Sequence, residues 1–272
     1  MTPLALEVAP GLEAGAGTVA VLLLAALVAG WVDAVVGGGG LIQLPALLVA
    51  LPGATPAQVL ATNKLASIAG TTTSAITYSR RIRPDPRTAL PMAACALAGA
   101  AGGAAVASLL PARVFRPLVL VLLLAVGAYT LLRPTLGDVA ADTAHTRTGR
   151  RRLLTACLIG VVLGGYDGIF GPGTGSFLVF ALVGLLGYAF LPASATARIV
   201  NVATNLGALL VFVPQGAPLW GLGVAMGVAG TLGAYIGART AVARGNRFVR
   251  TVFLVVVAAL VLRLGWDVAQ GR

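Results

Sequence analysis

Four charged residues lie inside long apolar stretches of this chain: Asp33, Lys64, Asp167 and Arg198. Lys64 is the only lysine in the sequence. A charge at the centre of a bilayer costs at least about 2.5–3.5 kcal/mol, so such residues usually face the protein interior and mark a path for ions or polar solutes. Two bases at this depth would attract an anion, and two acids would balance the empty site or exchange protons. The alternative is architectural, because two buried ion pairs can simply hold helices together.

Hydroxyl and amide side chains accompany each base. Thr62 and Asn63 stand directly before Lys64, and Thr196 stands two residues before Arg198. Residues spaced by four share one face of a helix, so such groups either line a polar cavity or hydrogen-bond helix to helix. The residues that we expect to orient an anion are Thr62, Asn63, Thr196, Asn201 and Asn205, with Ser67 and Thr71 on the same helix faces.

A glycine-rich break follows each acid. The first is the run 37–40 after Asp33, and the second is the segment 171–176 after Asp167. Interrupted backbone at membrane depth is tolerated only where protein or a water-filled cavity satisfies it. Helices that begin after such breaks present free N–H groups to an anion, although glycine also permits close helix packing. The break residues that we expect at the site are Gly39, Gly40, Gly173 and Thr174.

The rest of the sequence supplies the elements that hold these residues. The chain is 58% hydrophobic and 10% charged, whereas soluble proteins carry about 25% charged residues. A bilayer span takes about 20 apolar residues, so we predict an all-α, polytopic membrane protein of about ten transmembrane helices. The predicted segments are 17–36, 41–52, 57–79, 88–110 and 117–132, followed by 153–168, 174–191, 194–213, 217–238 and 249–264.

An internal repeat relates the two halves of the chain. A shift of 134 residues places each acid and each base of the first half on its counterpart in the second. Farther along, the offset that matches glycines becomes 131, which places Gly99 on Gly230. Because charges are scarce, the co-registered charges indicate a repeat more strongly than the glycines do. We predict a first five-helix repeat at 17–132, a cytoplasmic linker at 133–152 and a second five-helix repeat at 153–264, all in one membrane domain.

Arginines set the predicted orientation. With ten spans, the basic stretches 80–87, 133–152 and 239–250 share one side of the membrane. Basic loops face the cytoplasm, so we expect both termini on the outer side. Five helices per half give the two repeats inverted topology, which is common in secondary transporters.

Other function classes fit the sequence less well. The net charge of +11 comes from arginines in short loops, without the aromatic-interleaved basic face of nucleic-acid-binding proteins. An enzyme needs a nucleophile–base pair or a metal site, and the sole histidine, His145, lies in the predicted linker. We therefore expect no enzyme, no cofactor and no metal site. A channel and a structural membrane protein are the remaining alternatives. The expected partners are a small anionic substrate, the lipid bilayer and protons, and a homo-oligomer is left open.

Two stretches resemble a known family. The segment from Gly30-Trp31-Val32-Asp33 to Pro45, with Ala61-Thr62-Asn63-Lys64, is similar to the sulfite exporter TauE/SafE family, and so is the segment from Tyr166-Asp167 to Phe177. The resemblance extends over almost the whole chain. It implies a multi-pass permease of the bacterial cytoplasmic (inner) membrane that exports sulfite or a related organosulfur anion, and we expect it to work by alternating access. The exact substrate, the coupling ion and the pairing of acids with bases stay open.

Overall fold

Helices make up nearly all of the structure. A computed structural model describes residues 5–9, 12–111, 113–115, 121 and 149–269. A short antiparallel hairpin of β1 (Ala5–Ala9) and β2 (Leu12–Gly15) precedes the first helix. The hairpin is not predicted from the sequence, because its strands of five and four residues show no distinct alternation of apolar and polar side chains. The all-helical class is otherwise as predicted.

The first half contains four described helices with clear local start and stop signals. Thr55 and Gln58 form a capping box at the start of the third helix, which has proline at its first position. Asp85 caps the fourth helix through the backbone N–H of Arg87. The first helix ends at Gly37, whose φ of 86° requires glycine. The helices are α1 (Ala16–Val36), α2 (Gly40–Ala50), α3 (Pro56–Ser79) and α4 (Pro86–Ser108).

The second half contains a comparable series. Gly173 precedes the sixth helix and Gly187 ends it, both with positive φ. The last helix is kinked at Gly245, where φ is 71° and ψ is −167°, so Trp220–Gly245 forms a unit of its own. The helices are α5 (Gly149–Ile169), α6 (Thr174–Leu186), α7 (Phe190–Phe212) and α8 (Trp220–Ala269).

Five of the described helices are long and apolar enough to cross a membrane: α1, α4, α5, α7 and the first part of α8. Apolar side chains point outward from them, including Leu90, Leu158 and Leu232, each more than half exposed. Such an apolar exterior suits lipid rather than water. At 24 residues, α3 is also long enough, but its polar residues lower its hydropathy. The two helices that follow the glycine breaks, α2 and α6, are shorter.

The described helices agree with the predicted segments to within a few residues in most cases. The predicted segment 174–191 is shorter in the structure, because Gly187 ends α6. Residues 149–152 of the predicted linker form the first turn of α5. The predicted span 117–132, apart from Val121, and the linker residues 133–148 lie outside the described residues.

Close backbone packing joins helices of opposite halves. The fourth helix, α4, lies along α5, and α8 lies along α1. A Cβ atom at Gly103 would overlap the carbonyl oxygen of Gly165, and one at Gly237 would overlap that of Trp31. These glycines lie four residues after Gly99 and Gly233, a small-residue spacing that predicts close helix packing, and they permit that approach here. The two polar helices, α3 and α7, contact each other at the centre.

Candidate functional site

Two buried ion pairs cross between the halves of the molecule. Lys64 Nζ on α3 lies 2.6 Å from Asp167 Oδ2 on α5. Arg198 Nη1 on α7 lies 3.0 Å from Asp33 Oδ2 on α1. Lys64 and Asp167 are each 2% exposed, Arg198 is fully buried, and Asp33 is 16% exposed. The pairing that the sequence left open is therefore reciprocal, since each base contacts the acid of the other half.

The glycine breaks bring two helix ends together beside these pairs. Gly37 and Gly171 have φ values of 86° and 90°, which L-amino acids with side chains rarely adopt. A Cβ atom at Gly37 would overlap the backbone between Gly175 and Ser176. The Ser176 hydroxyl also donates to the carbonyl of Val36 over 2.7 Å. The N-terminus of α6 is thus packed against the end of α1.

The start of α2 completes this meeting point. A Cβ atom at Gly40 would lie 3.3 Å from the Pro172 Cα atom, so the two breaks are in direct contact. The Gly39 N–H donates to Asp33 Oδ1 over 3.3 Å. The first N–H groups of a helix have no partner within that helix and carry its positive dipole end. Two helix N-termini therefore converge near the ion pairs, in a geometry that favours negative charge.

A small cavity of about 20 Å³ lies between the breaks and the polar helices. Its volume holds roughly one water molecule, which is too little for an anion of four heavy atoms. The site is therefore closed in this conformation. Its wall is formed by Asp33, Gly37, Gly40, Asn63, Lys64, Ser67, Thr71, Asp167, Gly171, Gly175, Asn201 and Asn205.

Most of the predicted site residues meet at this cavity. Lys64, Asn63, Asn201, Asn205 and Gly40 line it together with both acids. The guanidinium of Arg198 lies behind it, where Nη1 would be 3.2 Å from a Cβ atom at Gly175.

Other predicted residues serve the backbone around the cavity. Thr62 Oγ1 accepts from the Leu219 N–H over 3.0 Å, and Thr196 Oγ1 donates to the Pro192 carbonyl over 3.0 Å. Thr174 Oγ1 donates to the Gly171 carbonyl over 2.8 Å. Gly173 precedes α6 with φ 79°, and Gly39 lines a second small cavity beside Asp33. The Thr62 bond therefore joins α3 to the residue before α8, and the Thr196 bond stays within α7. The asparagines, in contrast, line the cavity.

One residue of this neighbourhood is absent from the predicted set. Gln43 on α2 is 4% exposed and lines the second cavity with Asp33 and Gly39. Its Nε2 atom is buried without a hydrogen-bond partner among the described residues. The available signal was a single amide in an otherwise apolar 11-residue helix.

Several polar atoms at the site have unused hydrogen-bonding capacity. Arg198 is fully buried, yet its Nε and Nη2 atoms have no partner within the described part of the chain. Asn63 Oδ1 is also buried without a hydrogen-bond partner among the described residues. Buried polar groups without partners are costly and call for an explanation, such as an unseen ligand. Free guanidinium donors match the oxygen atoms of an oxyanion.

The family model described as sulfite exporter TauE/SafE matches residues 22–264 of this sequence. The matched range contains both glycine breaks and all four buried charges. The chain belongs to the sulfite exporter TauE/SafE family. The resemblance of the two signature stretches is thereby confirmed, and TauE/SafE membership makes this chain a member of a membrane transporter family.

Three TauE/SafE relatives cover nearly the whole chain. "Probable membrane transporter protein ORF9" of a Sinorhizobium species is 39% identical over 245 residues, which are 90% of this chain and 91% of that protein. "Probable membrane transporter protein YfcA" of Escherichia coli K12 is 35% identical over 91% of this chain and 89% of its own length. A "probable membrane transporter protein" of Haemophilus influenzae is 33% identical over 94% of this chain and 98% of its own length. No solved structure matches the chain.

Proposed function

We propose that this TauE/SafE protein is a secondary transporter that exports a small oxyanion, sulfite or a related organosulfur anion, across the bacterial cytoplasmic membrane. The observation that carries the proposal is the pair of crossed, buried ion pairs at the meeting point of two broken helices. Paired helix interruptions near the membrane midplane are a frequent place for transport sites. The description of the family as sulfite exporters supports the choice of anion.

The transport cycle that we propose is alternating access by two inverted five-helix repeats. Contacts that recur at a shift of 134 residues support the repeat. The two ion pairs are related by this shift, and Asn205 Nδ2 donates over 3.3 Å to Thr71 Oγ1, its own counterpart. Gly99 packs on Val161, and Gly233 packs on Leu27, again at the same shift. This contact relates Gly99 to Gly233 rather than to Gly230.

The charge balance of the site favours coupling to protons. Two bases and two acids give the cavity no net charge, so an added anion would leave it negative. Protonation of one carboxyl for each negative charge of the anion would free its base to bind the anion and would preserve neutrality. Buried charges without such compensation are unfavourable.

Orientation follows from the arginines. The stretches 80–87, 133–152 and 239–250 would face the cytoplasm under the positive-inside rule. Ten spans then place both termini outside. Export would carry the anion from the arginine-rich side to the opposite one.

The test is uptake of labelled sulfite and sulfoacetate into proteoliposomes, with and without a proton gradient. We expect saturable uptake that the gradient stimulates. Lys64→Ala should abolish it while the protein still inserts, because no cation would remain opposite Asp167. Arg87→Ala removes the same charge from an exposed position and is the matched control.

The outcomes separate the alternatives. Normal flux in Lys64→Ala contradicts the assignment of the site. Uptake that rises linearly with concentration indicates a channel. Saturable uptake that is indifferent to pH retains the carrier and reduces the acids to ion-pair partners. If neither anion is taken up, the proposed substrate is wrong.

A further inference from the structure

A basic pocket of about 550 Å³ opens at one end of the molecule, between the end of α3 and the middle of α8. Arg80 and Arg81 come from the first half of the chain, and Arg239 comes from the second. The Arg239 guanidinium lies 4.8 Å from the centre of the Tyr235 ring, a cation–π contact that holds it in place. The remaining lining residues are Thr77, Val242 and Ala243. The volume is typical of ligand sites.

The pocket and the central cavity are both lined by residues of α3. Thr71 lines the cavity and Thr77 lines the pocket, on the same helix. Six residues of α-helix correspond to about 9 Å. Thr77 is therefore between one and two helical turns from Thr71, whereas Lys64 lies 13 residues before Thr77, about 20 Å along the same helix. All three arginines of the pocket belong to the stretches that we place on the cytoplasmic side.

The opposite end of the molecule differs at the corresponding positions. Under the shift of 134 residues, Arg81 corresponds to Gln215, and Ser108 corresponds to Val242. Ser108 Oγ donates to Gln215 Oε1 over 2.9 Å, which joins the end of α4 to the turn after α7. Arg239 and Tyr235 correspond to Ala105 and Ala101. Arg81 and Arg239 thus have no charged counterparts at the other end of the molecule. The pocket of about 550 Å³ lies at the end that carries these arginines.

We infer that this pocket is a second anion-binding site, which captures a dissolved oxyanion from the cytoplasm before it reaches the central cavity. The inference rests on the proposed function for its direction and deepens it. Guanidinium groups are well suited to oxyanions because they donate paired N–H groups in a fixed geometry. The positive-inside rule accounts for arginines on this side, but it does not require arginines of both halves to converge on one pocket.

The kinetic test compares Arg81→Gln and Arg239→Gln with Arg83→Gln. Arg81→Gln introduces the residue found at the equivalent position of the other end. Arg83→Gln removes one charge from the same basic loop without altering the pocket lining. For transport from the pocket face at low ionic strength, we expect the first two variants to raise KM about 3–10-fold with little change in maximal rate, because a focused charge raises local anion concentration. Equal KM values in all three variants overturn the inference.

A binding test separates this inference from the proposed function. The double variant Lys64→Met/Asp167→Asn removes one of the two central ion pairs without leaving a lone charge, and it retains the Arg198–Asp33 pair. Purified in phosphatidylcholine nanodiscs, it should still be stabilised against heating by sulfate. The same variant with Arg81→Gln and Arg239→Gln added should lose that stabilisation. This result is readable even if the protein transports neither sulfite nor sulfoacetate. If sulfate has no effect and only phosphatidylglycerol stabilises the protein, the occupant is a lipid phosphate and the dissolved-anion site is refuted.

Discussion

Arg198 and Lys64 differ in how completely they are paired. Lys64 has one close carboxylate at 2.6 Å, and Arg198 has one at 3.0 Å with two further nitrogens unpartnered among the described residues. A planar guanidinium offers five donors, whereas an ammonium is a compact point charge. The arginine half of the site therefore has more capacity to hold a multidentate oxyanion. The lysine half is the more fully compensated pair.

The buried pair of Lys64 and Asp167 gives the first prediction. Lys64→Met should lower stability by about 3–5 kcal/mol, because it leaves a buried carboxylate without its partner. The double variant Lys64→Met/Asp167→Asn should recover most of that loss, since both charges are gone. The measurement is the apparent melting temperature of the purified protein in detergent. A double variant as unstable as the single one would mean that the ion pair is not the cause.

Sequence reasoning identified the four charges but not their partners. Rarity was enough to select them, because Lys64 is the only lysine and charged residues make up 10% of the chain. Pairing depends on how α1, α3, α5 and α7 cross, which no local pattern encodes. The same limit applies to Thr62 and Asn63. They are adjacent and polar, yet one bonds to Leu219 while the other faces the cavity.

At the scale of elements, glycine has two separate roles. In the breaks it permits a left-handed backbone, and between helices it permits backbone contact. The breaks and the small-residue spacings were both visible in the sequence. Which glycine fills which role depends on its neighbours in space, so the structure was needed to separate Gly37 from Gly38 and Gly103 from Gly102.

The first break offers a matched pair of substitutions. Gly37→Ala should destabilise the protein by at least about 1–3 kcal/mol, because it forces a side chain into a left-handed conformation and against the backbone of Gly175. Gly38→Ala should be close to neutral, because its Cβ atom would meet the Leu41 side chain at an ordinary 3.5 Å. Melting temperature and uptake of the two variants provide the comparison. Equal behaviour would contradict the assigned backbone at Gly37.

The contact between α4 and α5 offers a second matched pair of substitutions, at the adjacent residues Gly102 and Gly103. Gly103→Ala should cost about 1–3 kcal/mol, since overpacking would push the two helices apart at the carbonyl of Gly165. Gly102→Ala should be neutral or stabilising by up to about 1 kcal/mol, since alanine favours helix and nothing lies within 4 Å of its Cβ position. Thermal unfolding in detergent distinguishes them. If Gly102→Ala is the more damaging of the two, the described interface is wrong.

The whole molecule is asymmetric between its two ends. The basic pocket is open at one end, while at the other end the Ser108–Gln215 hydrogen bond joins the end of α4 to the turn after α7. The central cavity is too small for substrate. Under the orientation proposed above, the open pocket would face the cytoplasm and the end with the Ser108–Gln215 bond would face the outer side. Composition alone predicted the membrane class and most of the helices, but a single sequence does not specify which end is open.

The hydrogen bond between Ser108 and Gln215 supplies the fourth prediction. Cysteines at positions 108 and 215, in a background without Cys95 and Cys157, should be joined by a short bifunctional thiol reagent. Joining them should block uptake, because alternating access requires the end of α4 to separate from the turn after α7. The single-cysteine variants, treated alike, should keep their activity. Full uptake by the cross-linked protein would show that transport does not require these two segments to separate.

The reciprocal ion pairs also bear on the history of the chain. Each half carries an acid and a base that do not satisfy each other, and each finds its complement only in the other half. Two identical polypeptides, inserted in opposite orientations and associated as a dimer, would form the same two pairs before any gene fusion joined them. Lys64 and Arg198 would then descend from one ancestral position. Their divergence requires two separate coding positions, which duplication of the gene supplies.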